Sequence, residues 1–290
     1  RMLLRGLSPV ATLGAAVILD PQARLTKAGD RKRRAVLEAA LSQDATAIAD
    51  ALCEAGRGAG HMADLMRLSR THRADMPSDC IAIGEGYFST NAHINEATQG
   101  MMARLETYHA AHPIRAFAPL AAIHDRALHP QLSRHAEDIL LSDGTLKRSD
   151  DRVALVRHDP WALLDKDAHH HLAEVEAMLL NAGVRPPDLA ALQPTERDAD
   201  LLDLLVLRGT VILLRNVALR QTIPFHHNAL DRAADRLRAA FPDPFTTSEA
   251  RTVLDTSRKF IVPILEHFDS LGITQRIGDA RVIAPQESRS

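Results

Sequence analysis

Apolar positions along the chain follow two different spacings, and each change of spacing marks an element. Residues 7–21, "LSPVATLGAAVILDP", are short, apolar and bounded by proline. They read as the last strand of a sheet that is otherwise mostly absent. In "KAGDRKRRAVLEAAL" the period becomes helical, with Val36, Leu37, Ala40 and Leu41 on one side. Its "RKRR" reads as a solvated helix start rather than a nucleic-acid arm.

One plan then recurs at intervals of roughly sixty residues. It consists of one helix, two shorter helices and a β-hairpin. The first unit has helices near 43–55, 61–67 and 70–75, and the ribbon "CIAIGEGYFS", where Gly84 and Gly86 suit a tight turn. The second opens with a long helix from Asn91 to about Ala111, stopped by Pro113, then helices near 119–127 and 130–142. Its ribbon is "GTLKRSDDRVALV", turning at Ser149–Asp150–Asp151. The third has helices near 167–182, 188–192 and 195–208 and the ribbon "GTVILLRNVAL". The fourth has a helix from about Asn228 to Ala240, broken by "FPDPF", and a short one near 247–254. A further helix after Asp255 leads into a hairpin centred on Gly278–Asp279. Three helices followed by a hairpin is the plan of a winged helix. The expected fold class is mainly α with small β-hairpins, an elongated array with limited long-range packing.

Composition narrows the partners. The formal charge is −2 over 290 residues, so an anionic partner has to be held by a local patch. Cys53 and Cys80 are the only cysteines, which excludes a disulfide framework and makes a cytoplasmic compartment the expectation. No long uncharged apolar run is present, so no membrane partner is expected. The chain starts at Arg1, without Met and inside an apolar pattern, and reads as the C-terminal part of a longer polypeptide.

Motif by motif, catalytic chemistry drops out. No phosphate-cradling G-x-x-x-x-G-K-[ST] occurs. "GRGAG" (56–60) lies between two helices, where a dinucleotide fingerprint would need a preceding strand. "HHH" (169–171) and "HHN" (226–228) suggest a metal, but adjacent helical residues point about 100° apart and do not share one ion. His124–Asp125 lacks the context of a nucleophile elbow and suits surface or N-cap roles. No catalytic residue, metal ligand or cofactor site is assigned to this chain, which is not expected to be an enzyme by itself.

The cations of the last unit stand apart. Ser257 suits an N-cap. Phe260, Ile264 and Phe268 recur every four residues with Ile261 and Leu265 beside them, one apolar face. Arg258 and Lys259 then fall in the first turn, where the helix dipole disfavours cations unless an anion docks there. Pro263 removes the amide that would bond the Lys259 carbonyl. Either the first turn is loosened, or that carbonyl meets water or a base. A two-residue turn at Gly278–Asp279 puts Arg276 opposite Arg281, both expected on the exposed face, with Ile273, Ile277 and Val282 facing the body. Like charges so placed repel, unless a phosphate lies between them.

"TSRKFIVPILEHFDSLGITQRIGDARVI" (256–283) resembles the last winged helix of SelB, the bacterial selenocysteine-specific elongation factor. The Ser-Arg-Lys, Pro-x-Leu-Glu, Phe-Asp, Gly-x-Thr-x-Arg-x-Gly-Asp and Arg-Val elements carry the likeness. "TLGAAVILDP" is similar to the end of the β-barrel before the winged helices of that family, and "RPPDL" of the third unit also fits. The resemblance implies a β-barrel end in 1–25 and four tandem winged helices, in 26–90 with a linker helix, 91–160, 161–224 and 225–284, with a tail over 285–290.

It also implies an RNA-binding arm of a translation factor that acts in selenocysteine incorporation at recoded UGA codons. The last unit would bind an mRNA hairpin through Ser257, Arg258, Lys259, Arg276 and Arg281. The ribosome would be a further partner. Selenocysteyl-tRNA, GTP and Mg²⁺ would be held by domains outside this chain, and the chain would act as a monomer. Two departures stand out. Gly14 is followed by Ala15 and Ala16 where the family has three consecutive glycines. The third ribbon is more apolar than the family's, with Arg215 its only charge, which favours packing against a neighbour over RNA contact. The alternatives are a winged-helix DNA-binding regulator and a protein-interaction scaffold.

Overall fold

A computed structural model describes residues 2–8, 10–23, 30–70 and 76–284. They fall into two compact units, one within Arg1–Ala111 and Phe117–His158, the other within His112–Ala116 and Asp159–Ser290. The expected helix at 70–75 and the tail 285–290 lie largely or wholly outside the described residues.

The first unit opens with an antiparallel ribbon of β1 (Met2–Leu7) and β2 (Val10–Ala16). β2 was legible as an apolar run, whereas β1 was not expected. Helix α1 (Arg31–Ser42) is capped by Asp30, whose carboxylate accepts from Arg33 N at 3.1 Å. The "RKRR" start is not simply solvated: Arg33 pairs with the buried Asp20, which also takes Arg67. Helices α2 (Ala45–Ala55) and α3 (Met62–Ser69) flank the two-residue strand β3 (Gly60–His61). β3 joins the hairpin of β4 (Cys80–Gly84) and β5 (Tyr87–Thr90) in a three-stranded sheet of order β3-β5-β4. Gly60 is required there, because a Cβ would sit 2.6 Å from the Phe88 ring.

The same layout follows in α4 (Asn91–Ala111), β6 (Ala118–Pro119), α5 (Leu120–Ile123), α6 (Pro130–Ser142), β7 (Leu146–Ser149) and β8 (Arg152–Leu155). The sheet order is β6-β8-β7. Helix α5 is shorter than the expected 119–127, because Asp125 binds the Ala127 amide in a local turn at 2.8 Å. Two apolar clusters fill this unit. One joins Val36, Ile48, Leu65 and Phe88, and the other joins Ile94, Leu105, Leu132 and Val153. Ala59 and Ile83 belong to the second cluster, so the two layouts share a core.

The second unit contains α7 (Lys166–Ala182), α8 (Leu189–Leu192) and α9 (Glu196–Leu207). Its first ribbon pairs β9 (Val211–Asn216) with β10 (Gln221–His226). β10 lies wholly beyond the stretch expected as the ribbon, which ends at Leu219. Its Pro224 weakens the strand signal, and Arg220, at φ 51°, closes a longer turn. Among the described residues this sheet has two strands, unlike the three-stranded ones. Then come α10 (His227–Ala240), β11 (Phe245–Thr246), α11 (Thr247–Val253), α12 (Arg258–Ser270), β12 (Thr274–Ile277) and β13 (Ala280–Ile283). The last sheet has the order β11-β13-β12.

One apolar cluster spans the second unit from the β9–β10 ribbon to α12. It joins Leu214, Ile223 and Phe225 with Leu237, Phe245, Ile261, Ile264, Leu265 and Phe268. Each such side chain stabilises by about 1.5–3 kcal/mol on burial. The expected apolar face of α12 is therefore the centre of this core. Among the described residues no group of His, Cys, Asp or Glu is arranged to hold a metal. His226 instead caps α10 by accepting from Asn228 N at 3.0 Å, and His171 lies 3.4 Å from Asp198.

Candidate nucleic-acid interface

The chain enters α12 through Asp255, whose φ of 49° is left-handed. Ser257 has the extended backbone of an N-cap, but its hydroxyl makes no capping hydrogen bond. The expected cap contact is thus absent. The entry is held from outside instead: Thr256 Oγ1 donates to the Val184 carbonyl at 3.0 Å. Arg258 is exposed in the first turn. Lys259 donates to Asp188 at 2.6 Å and lies 5.2 Å from the Phe260 ring centre.

Pro263 does free the Lys259 carbonyl, and the structure shows where that carbonyl goes. Asn216, buried at the end of β9, donates its Nδ2 to it at 2.8 Å. The Asn216 Oδ1 accepts from Leu219 N at 3.0 Å. One amide side chain therefore closes the β9–β10 turn and replaces the hydrogen bond that proline deletes. The first turn of α12 is braced rather than loosened. The apolar third ribbon packs against its neighbour, as its composition suggested.

In the last ribbon Gly278 has φ 61°, and Arg276 lies directly opposite Arg281. Arg276 is exposed, and its Nε donates to the Gly278 carbonyl at 3.0 Å. Arg281 departs from expectation. It is only 8 % exposed, and its Nε lies 2.9 Å from Asp269 Oδ2 while Nη1 reaches Thr247 at 3.2 Å. The cause is β11. It pairs Phe245 with Arg281 and makes β13 the central strand, so Arg281 has a neighbour on both sides. Asp269, not a phosphate, offsets the like-charge opposition. Ile277, expected to face the body, is 57 % exposed at the ribbon's end.

These elements enclose a groove of about 460 Å³. Helix α11 contributes Thr247, Ser248 and Arg251, and α12 contributes Arg258, Ile261, Val262 and Glu266. The ribbon and its turn contribute Arg276, Asp279 and Arg281. Four arginines thus line one concavity together with the acidic residues Glu266 and Asp279, Arg281 doing so while paired with Asp269. The planar fork of arginine suits phosphate oxygens and the acceptor edge of guanine. Of the residues expected to bind, Arg258, Arg276 and Arg281 line this groove, whereas Ser257 and Lys259 do not line it. Arg251 was missed. It lies in the last turn of α11, and only the packing of α11 beside α12 brings it near Arg258. Among the described residues no helix is long and apolar enough to cross a membrane.

A short strand, two helices and a charged hairpin around one groove define a winged-helix module. Residues 239–283 match the family described as "Elongation factor SelB, winged helix". Over 98 % of its length the chain is similar to a selenocysteine-specific elongation factor from Desulfomicrobium baculatum, with 24 % identity across 306 residues. It covers 47 % of that relative, so the chain spans about half the length of the curated relative it matches. The crystal structure of a bacterial selenocysteine-specific elongation factor, EF-Sec, superposes on 98 % of the chain and 44 % of its own, with a TM-score of 0.62 and 17 % identity. That superposition supports the fold. The mRNA-binding domain of SelB from E. coli, solved with SECIS RNA, aligns with 42 % of the chain and all of its own, at 19 % identity and a TM-score of only 0.32. The chain is thus similar to the C-terminal part of selenocysteine-specific elongation factors.

Proposed function

We propose that this chain is the mRNA-hairpin-binding arm of a selenocysteine-specific elongation factor. The observation that carries the reading is the groove in which Arg251, Arg258, Arg276 and Arg281 converge, inside the segment that matches the SelB winged helix. RNA hairpins are recognised through their backbone and splayed loop bases, which suits a small cationic concavity on an otherwise near-neutral chain.

In this reading the architecture is a β-barrel end at 1–25 followed by four tandem winged helices, over 26–90, 91–160, 161–224 and 225–284. The two-residue strands β3, β6 and β11, each beside a hairpin, support that division for three of the four. The arm tethers. A GTP- and Mg²⁺-binding part outside this chain carries selenocysteyl-tRNA, and holding the mRNA raises the tRNA's effective concentration at the ribosome in the cytoplasm. The chain itself catalyses nothing and binds as a monomer. Arg258 and Arg276 take phosphates or bases. Arg281 acts from its ion pair with Asp269, and Lys259 and Ser257 act at the entrance to α12.

Binding of the whole 290-residue chain to an mRNA stem-loop, a scrambled stem-loop and duplex DNA, across salt, tests this. The expected result is preference for a cognate stem-loop and affinity that falls with salt. Equal affinity for all three sinks the specific claim. Tighter binding to duplex DNA installs the DNA-regulator reading, which the confinement of cations to the first turn of α12 disfavours. Salt-insensitive binding to protein partners alone installs the scaffold reading.

A further inference from the structure

Asp188 stands at the N-cap of α8, yet its carboxylate does not cap that helix. An aspartate in this place ordinarily accepts from an amide of its own first turn. Here it accepts from Lys259 Nζ at 2.6 Å, in the first turn of α12. The segment that presents it is tied to the α12 entrance at two other points. Arg185 pairs with Asp255 at 2.6 Å, and Thr256 donates to the Val184 carbonyl at 3.0 Å. Pro186 and Pro187 stiffen the chain between these ties and Asp188. The Asp188 side chain is 70 % exposed and that of Lys259 29 %, so an incoming anion can reach the pair.

We propose that Asp188 is an internal competitor for Lys259, displaced when an RNA phosphate takes that ammonium. The inference rests on the RNA-binding reading above and adds to it a residue that sets the general affinity. A carboxylate on Lys259 does what a phosphate would do, so every RNA must exchange one contact rather than gain one. Nucleic acid held by charge alone is penalised by that exchange as much as any other. Only RNA that makes further contacts, in the groove lined by Arg251, Arg258 and Arg276, remains bound. Asp188 thereby lowers the general affinity for RNA and leaves retention to sequence- and shape-dependent contacts.

The test uses the full chain and its Asp188→Asn, Lys259→Gln and doubly substituted variants. Each is titrated with a stem-loop RNA and with poly(U) of equal length by fluorescence anisotropy across NaCl. Asp188→Asn is expected to bind both RNAs about two- to fivefold tighter at low salt, the range of an exposed ion pair. Its log affinity is expected to fall more steeply with log salt, by up to roughly 0.7, because the surface that meets the strand gains one net positive charge. In the Lys259→Gln background the same substitution has a smaller effect on both quantities. Unchanged affinity and slope in Asp188→Asn, while Lys259→Gln still weakens binding, overturns the inference and leaves the RNA-binding reading standing. Weaker binding by Asp188→Asn also overturns it, because the carboxylate then contacts RNA directly. Failure of all four proteins to bind either RNA overturns both readings.

Discussion

The ribbons β9–β10 and β12–β13 lie in the same unit, and both are antiparallel hairpins that follow a helix. They have opposite uses. The first is apolar, has no third strand among the described residues, and buries Leu214, Ile223 and Phe225 in the core around α12. Its main polar service is Asn216, which holds the Lys259 carbonyl. The second ribbon gains β11 as a third strand and turns Arg276 and Arg281 toward a groove. One motif therefore works as a support in one place and, in the proposed reading, as a binding edge in the other. Residue type at a few positions decides which.

Substitutions in the two ribbons should separate these roles. Phe225→Ala removes a fully buried ring from the supporting ribbon and should cost about 3–5 kcal/mol. Chemical denaturation should show the loss, and RNA binding should fail as a consequence of unfolding. If unfolding free energy changed by less than one kcal/mol, the shared core would be the wrong picture. Asp269→Ala leaves the buried Arg281 without its carboxylate. It should cost roughly 1–3 kcal/mol, less than a fully buried pair because Asp269 is partly exposed.

Asn216→Ala removes the side chain that holds the Lys259 carbonyl and one turn hydrogen bond, at about 1–2 kcal/mol. It should also raise hydrogen-exchange rates in the first turn of α12, whereas a purely local effect would stay within the β9–β10 turn. The smallest effect on folding belongs to a matched pair. Arg276→Ala should weaken RNA binding about five- to tenfold with a stability change within about 0.5 kcal/mol. Arg215→Ala, on the exposed side of the supporting ribbon, should change neither. Equal loss of RNA binding in both would erase the difference between the ribbons.

Most helices were legible because their signals are local. Asn91–Ala111 and Pro130–Ser142 begin and end where periodicity and proline say they should. The last hairpin was legible for the same reason, since Gly278–Asp279 makes a two-residue turn that sets the Arg276–Arg281 register. The two-residue strands were not. Gly60–His61, Ala118–Pro119 and Phe245–Thr246 carry no period of their own and form because an existing hairpin offers them an edge. Missing Phe245–Thr246 led directly to misplacing Arg281.

The sequence by itself determined that α12 carries its cations in the first turn, that Pro263 frees a carbonyl, and that Arg276 and Arg281 face one another across a tight turn. Each follows from spacing within about twenty residues, where backbone geometry alone sets who meets whom. Only the tertiary structure decided the partners: Asn216 for the freed carbonyl, Asp188 for Lys259, Asp269 for Arg281, and Arg251 as a fourth guanidinium in the groove. Asn216 and Asp188 lie 43 and 71 residues from the side they meet. Such pairings are set by the packing of a shared core, and no local pattern encodes them.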